Sequence, residues 1–122
     1  MNITVSLPWP SATTSPNARK HWTATAKAKA AQRATSFELT RQVLQASCIK
    51  KTDLTYAKQA HVAIVFNAPD KRRRDIDNCL SSIKAALDGI SDATGIDDGL
   101  WSYEIRRGDV VAGGRVDVTI TV

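Results

Sequence analysis

The centre of the chain joins an apolar run, a basic run and a helical pattern, and reads HVAIVFNAPDKRRRDIDNCL from His61 to Leu80. Apolar residues occupy both alternating sides from His61 to Phe66, which predicts a strand that is buried on most of both faces and central in its sheet. Asn67-Ala68-Pro69-Asp70 ends this strand. A helix is then predicted from about Asp77 to about Ser91, with Asp77 as its N-cap. Four residues at helical spacing form its predicted apolar face: Leu80, Ile83, Leu87 and Ile90.

Further elements are predicted on both sides of this centre. Alternation from Ile3 to Leu7 predicts a first strand, which Pro8-Trp9-Pro10 ends. A long helix is predicted from Thr23 to about Ser47, because the segment is rich in helix formers. Its predicted buried stripe consists of Ala30, Ala34, Phe37 and Leu44. Alternation also predicts strands over residues 101–106 and 116–122, joined around Gly113-Gly114.

The predicted order of elements is therefore β-α-β-α-β-β. No repeat or long linker divides the chain, so residues 1–122 are predicted to form a single α/β (α+β) domain with a mixed four-stranded sheet and two main helices. A crossover from strand to helix to strand favours parallel neighbours, whereas the strand order stays open.

Composition points toward a polyanionic partner. The 122 residues include 17 Lys and Arg against 12 Asp and Glu, which gives a net charge of +5. Nucleic acid is one such partner, and an inert basic surface is the alternative. Cys48 and Cys79 lack CxxC spacing, and no signal peptide or membrane span is apparent, so a reduced, cytoplasmic location is expected.

Asp75 and Asp77 follow the basic run at the junction between strand and helix. In an extended segment they project to the same side, because strand side chains alternate. Convergent carboxylates repel each other unless a cation separates them, so the pair is suited to Mg²⁺ or Mn²⁺. With arginines holding a phosphate nearby, this arrangement would serve metal-assisted phosphodiester hydrolysis. The alternatives are a helix cap for Asp77 and an ion pair for Asp75.

A third carboxylate is available in Asp97-Asp98, which a return from the second helix could bring back beside the end of the second strand. Ser81, Lys84 and Asp88 are predicted to share one polar face of that helix with Asp77, since each residue advances about 100°. Lys84 could then reach a phosphate or a water, and an ion pair with Asp88 is the alternative.

Together these segments resemble the RusA family of Holliday junction resolvases, the crossover junction endodeoxyribonucleases. The landmarks are Leu7-Pro8-Trp9-Pro10, Arg72-Arg73-Arg74-Asp75-Ile76-Asp77-Asn78, Lys84-Ala85-Ala86-Leu87-Asp88 and Asp97-Asp98. The resemblance implies a Mg²⁺-dependent homodimer, without an organic cofactor, that nicks four-way DNA junctions symmetrically in recombination and repair. It also implies a phage or prophage origin and action in the cytoplasm of a bacterial host.

The resemblance also implies roles for individual residues. Asp75 and Asp77 match the first two catalytic, metal-binding aspartates of the family, and Asp98 matches the third. The family lysine belongs at the position of Ser81, and Lys84 is taken as its functional equivalent because it keeps the Lys-x-x-x-Asp register with Asp88. The predicted DNA contacts are Lys71, Arg72, Arg73, Arg74, Asn78, Arg19 and Lys20.

Two other functions fit the same residues. A basic domain can bind DNA through phosphates alone, as a non-catalytic module. A metal-dependent nuclease could also act on other branched or single-stranded DNA. Among residues outside the acidic cluster, His21 is a possible phosphate donor, His61 is interpreted as structural, and Trp9 and Trp101 are predicted to be core residues.

Overall fold

The computed structural model describes residues 1–16 and 22–122. The strands are β1 (Asn2–Pro8), β2 (Ala60–Asn67), β3 (Trp101–Arg107) and β4 (Arg115–Thr121). The helices are α1 (Trp22–Ala46), α2 (Lys51–Leu54), α3 (Ile76–Ser82) and α4 (Lys84–Thr94), with 3-10 helices at Ala12–Thr14 and Asp98–Leu100. The predicted fold class is confirmed. Arg19, Lys20 and His21 lie outside the described residues.

The four strands form one mixed sheet in the order β1-β4-β2-β3. β4 pairs antiparallel with both β1 and β2, and β2 pairs in parallel with β3. The parallel pair confirms the expected crossover, because α3 and α4 carry the chain from the end of β2 back to the start of β3. β2 is central, as predicted, with Ile64 between Val118 of β4 and Ile105 of β3.

A single apolar cluster joins one face of the sheet to the helices. Alternate residues such as Val62, Ile64 and Val118 are fully buried there, together with Leu87 and Ile90 of α4. The prediction that β2 is buried on most of both faces is wrong, because Ala63 and Val65 are only half-buried and His61 is exposed. The helices cover one side of the sheet, so the other side of each strand meets solvent. Within the described ranges, no helix has the length and apolar character needed to cross a membrane.

The buried face of α1 is partly polar, which the sequence prediction missed. Ala30, Ala34 and Phe37 are exposed, and only Leu44 of the predicted stripe is buried. Ser36 and Thr40 are buried instead. The hydroxyl of Ser36 donates to the carbonyl of Ala86, and that of Thr40 donates to the carbonyl of Ser36. Satisfied hydroxyls can be buried at little cost.

Close packing of α1 on α4 depends on Gly89. A Cβ atom at this position would lie 2.6 Å from Ser36 Oγ and would also collide with the carbonyl oxygen of Arg33. Outside this contact, the guanidinium of Arg33 donates to both carboxylate oxygens of Asp92, at 2.7 and 3.0 Å. The hydrogen bond from Arg33 holds the pKa of Asp92 below its usual range.

The predicted second helix is interrupted at Ile83, whose φ of −110° and ψ of 11° are not helical. Asp75, not Asp77, is the N-cap of α3, and Asp77 lies in its first turn. At the break the carboxamide of Gln32 donates to the carbonyl of Ser82 at 2.8 Å and accepts from the N–H of Ala86 at 3.2 Å. These are the two groups that would bond to each other in a continuous helix. Gln32 therefore replaces one helical hydrogen bond, which is a recognised cause of a kink.

Candidate active site

The basic loop, residues 68–75, connects β2 to α3 and is held from within by Arg74. Arg74 donates to the carboxylate of Asp70 at 2.9 Å and to the carbonyl of Arg72 at 3.1 Å. Its guanidinium carbon lies 5.4 Å from the centre of the Trp9 ring, within the range of a cation–π contact. The hydrogen bond from Arg74 lowers the pKa of Asp70. Arg74 is thus committed to the shape of the loop.

Arg107, at the end of β3, fixes the same loop from outside. Its guanidinium donates to the carbonyl of Arg74 at 2.8 Å, directly before Asp75. Sequence reasoning missed this residue, because nothing in an edge strand signals a bond to a loop that precedes it by 33 positions. The backbone entering the acidic pair is therefore anchored at Arg74.

The remaining cations of the loop are free to meet a ligand. Lys71, Arg72 and Arg73 are all exposed. Arg72 makes a long contact with Asp70, 3.5 Å, and its side chain is 76% exposed. Exposed guanidinium groups of this kind bind phosphate oxygens well, because their paired donors match the geometry of the anion.

Asp75 and Asp77 lie together at the start of α3. The side chain of Asp75 makes no capping hydrogen bond, and Asp77 Oδ1 accepts from the N–H of Asn78 at 3.0 Å. Burial raises the pKa of the Cys79 thiol; Arg107 and Arg74 lower it, and Asp75 and Asp77 raise it. The pKa of this half-buried thiol therefore responds to both carboxylates and to both guanidinium groups.

Lys84, Asp88 and Asp98 form a second group, on α4 and the 3-10 helix before β3. Lys84 Nζ lies 3.1 Å from Asp88 Oδ1 and 3.1 Å from Asp98 Oδ2. Burial alone would lower the pKa of Lys84, but the hydrogen bonds to Asp98 and Asp88 raise it. The bond from Lys84 in turn lowers the pKa of Asp98. Both the predicted i,i+4 pair with Asp88 and a longer-range pair with Asp98 are therefore present.

Tyr103 borders this second group and was not predicted. Burial raises the pKa of its phenol, which is close enough to Lys84, Asp98 and Asp88 to be influenced by all three charges. Its ring packs edge-to-face on Trp101 at 6.1 Å. The alternation of β3 placed Tyr103 on the same side as Trp101, and that was the available signal. Trp101 is a core residue as predicted, and Trp9 is half-buried, packing against the core and lining a cavity.

The structure does not bring all three predicted metal ligands into one cluster. In the part of the chain that is described, no group of three or more His, Cys, Asp or Glu side chains could hold a metal ion. Asp98 precedes Trp101, which pairs with Ala60 at the start of β2, whereas Asp75 follows the end of β2. The start of β3, which Asp98 precedes, therefore lies beside the start of β2 and not beside its end. The break at Ile83 also ends the continuous helical face that would have joined Asp77 to Lys84.

The donor chemistry nevertheless suits a hard cation at the acidic pair. Mg²⁺ is usually held by one or two protein carboxylates, with waters and substrate phosphates completing its shell. Asp75 and Asp77 meet that minimum, since neither is engaged by a basic side chain among the described residues. Asp98, held by Lys84, does not meet it in this arrangement.

Comparison with known proteins gives a relative that aligns with nearly the whole of this chain. An uncharacterized protein of Xylella fastidiosa is 36% identical over 118 residues, which is 96% of this chain and 74% of that protein. The two proteins belong to one family. No family model matches the chain.

Partial matches connect the chain to named nucleases. The crossover junction endodeoxyribonuclease RusA of Escherichia coli K12 is 34% identical over 76 residues, and the protein of the same name from Enterobacteria phage HK97 is 36% identical over 73 residues. The chain spans 57% and 58% of the lengths of these two proteins. The resemblance to RusA resolvases is thus supported over somewhat more than half of the chain.

Proposed function

We propose that the chain is a metal-dependent endonuclease that cleaves branched DNA, and four-way junctions in particular, during recombination and repair. The observation that carries this proposal is the placement of Asp75 and Asp77 directly after an anchored loop whose exposed cations are Lys71, Arg72 and Arg73. A pure binder gains nothing from carboxylates beside its phosphate contacts, because they repel the phosphate. The partial similarity to RusA nucleases supports the same reaction class.

The residues of the basic loop and the acidic pair would have separate roles in cleavage. Arg72 and Arg73 would bind the phosphates that flank the scissile bond, while Arg74 and Arg107 keep the loop in place. Asp75 and Asp77 would hold Mg²⁺, or Mn²⁺ in its place. Asp98 is proposed as a third ligand that joins them only when the ion is bound, because this structure pairs it with Lys84. When bound, the ion would lower the pKa of a water and stabilise charge on the phosphate. Lys84 would then be released from Asp98 and would donate to a phosphate oxygen.

Symmetric nicking requires two such sites in one particle. We extend the proposal to a homodimer, because two copies related by a twofold axis would present matched sites to the two strands of a junction. This part of the proposal rests on the resemblance to the RusA family and is tested by the symmetry of the nicks.

The second candidate function is a non-catalytic DNA-binding module. It is favoured by one observation: Lys84 is bound to two carboxylates, and no three-carboxylate group is assembled among the described residues. Binding through phosphates would need only the exposed cations.

Cleavage of a labelled synthetic four-way junction separates these functions. With Mg²⁺ we expect paired nicks at symmetric positions, and with EDTA we expect binding without cleavage. Linear duplex and single-stranded DNA of the same sequence serve as controls for substrate class. Binding with no cleavage in either Mg²⁺ or Mn²⁺ would contradict the enzymatic proposal. Preferential cleavage of single-stranded DNA would mean that the enzyme acts on another substrate.

A substitution at Lys84 tests its proposed role. Lys84→Met keeps the length of the side chain and removes the charge, so we expect junction cleavage to fall about 100-fold, as for the loss of one transition-state donor. Junction binding should change by only a few-fold. Lys58→Met, at another exposed lysine, is the matched control. Undiminished cleavage by Lys84→Met would show that the ion pairs of Lys84 are structural only.

A further inference from the structure

A cavity of about 730 Å³ lies between the segment that follows β1 and the segment that leads into α3. The first wall includes Trp9, Pro10 and Ala12, and the second includes Arg72, Asp75 and Asn78. Pockets that bind small organic groups usually measure roughly 300–1,000 Å³. The cavity therefore has the capacity for one nucleotide and opens beside the proposed catalytic aspartate.

One wall is apolar and fixed in position. Trp9 packs edge-to-face on Phe66, with ring centres 6.2 Å apart, and Arg74 covers its ring. Pro10 and Pro69 extend the apolar surface on either side. A flat apolar wall that is already ordered suits a nucleobase, because little side-chain entropy is lost when the base binds.

The other wall carries the side-chain amide of Asn78. Asn78 is half-buried, and its side chain makes no hydrogen bond to another described residue, although its backbone groups are engaged. A carboxamide has both donors and an acceptor, which is the combination that pairs with the edge of a base. Arg72 and Arg73 stand exposed on the same cavity, where a phosphate attached to that base would meet them.

From this arrangement we infer that the cavity binds a single unpaired nucleotide of the DNA, with its base between Trp9 and Asn78 and its phosphate on Arg72 and Arg73. The inference deepens the proposed function and rests on it for the identity of the polymer. A base that is still paired and stacked in a duplex cannot enter a pocket of this size, so the nucleotide must be unpaired or flipped out. The substrate class is then DNA with an accessible base next to the scissile phosphate.

The test uses a five-nucleotide single-stranded DNA with 2-aminopurine at its centre, titrated in EDTA so that no cleavage occurs. Ala12→Trp places a large side chain in the cavity from an exposed position. Thr13→Trp, in the same 3-10 helix but absent from the cavity lining, is the matched control. We expect wild type and Thr13→Trp to bind with a change in 2-aminopurine fluorescence, and Ala12→Trp to bind about tenfold more weakly, in line with the energy of holding one base.

Asn78→Ala provides a second variant that leaves the cavity open. Loss of the base-edge contact should weaken binding about fivefold or more, and thermal melting of each variant checks that the fold is kept. Equal binding by Ala12→Trp and Thr13→Trp, or a fluorescence signal that no variant alters, would overturn the inference. Junction cleavage is measured separately. If the protein cleaves junctions but Ala12→Trp binds the oligonucleotide normally, the inference fails and the proposed function stands. If the protein does not cleave junctions but Ala12→Trp binds the oligonucleotide more weakly, the proposed function fails and the inference stands.

Discussion

Replacing Asp75 by asparagine is expected to reduce cleavage of a four-way junction by about a thousandfold or more, while leaving junction binding in EDTA unchanged or a few-fold tighter. The loss follows from the proposed role of this carboxylate in holding the divalent ion, whose contribution to phosphodiester hydrolysis amounts to several kcal/mol. The gain in binding follows from the removal of one negative charge beside the phosphate contacts. Single-turnover cleavage and fluorescence anisotropy measure the two effects.

The fold should tolerate this change, which makes the result interpretable. The side chain of Asp75 makes no capping hydrogen bond in α3, and the amide of asparagine has nearly the same shape. Asp109→Asn, at an exposed aspartate between β3 and β4, is the control for a change of charge alone. If Asp75→Asn cleaves as fast as wild type, the proposed metal site is wrong.

The strands could be predicted because successive side chains of a strand point to opposite faces of the sheet, so apolar and polar residues alternate in the sequence. Ile3, Val5 and Leu7 are buried as their spacing required, and β4 follows the same rule. What alternation could not give was the number of helices on each side of the sheet. β2 is apolar at Ala63 and Val65, yet no element covers that face among the described residues.

The face of α1 was mispredicted for a related reason. A stripe of apolar residues is sought because burying a polar group normally costs free energy, but that cost vanishes when the group finds a partner. Ser36, Thr40 and Gln32 all find partners, and those partners lie on α1 itself or 50 positions or more along the chain. No single-sequence pattern carries that information. Gly89, an otherwise costly residue inside a helix, was the one visible signal of the close crossing.

The candidate site was predicted in two halves and not as a whole. Local sequence placed Asp75 and Asp77 together, and helical spacing paired Lys84 with Asp88. The position of one half relative to the other depends on the direction of β3 and on the break at Ile83, and the sequence did not predict the break. In a parallel crossover the chain returns to the starting end of the first strand, and Asp98, just before β3, meets Lys84 on α4.

Replacing Gln32 by alanine is expected to lower the stability of the protein by about 2–4 kcal/mol, because two backbone groups lose their only side-chain partner at the helix break and each unsatisfied group costs about 1–3 kcal/mol. The affected groups are the carbonyl of Ser82 and the N–H of Ala86. In a domain of this size the melting temperature should fall by roughly 10 °C. Thermal and urea unfolding followed by circular dichroism measure the change.

Two further variants identify the cause of that loss. Gln32→Glu keeps an acceptor for the N–H of Ala86 but has no donor for Ser82, so it should also be destabilising. Gln42→Ala, on the exposed face of the same helix with one long contact of 3.4 Å to Glu38, should have little effect. Since the break sets the direction of α3 relative to α4, Gln32→Ala should also slow junction cleavage more than Gln42→Ala does at a temperature where both variants are folded. Equal stability of the Gln32→Ala and Gln42→Ala proteins would mean that the break is set by the packing of buried Ile83 alone, and that the inserted amide merely fills it.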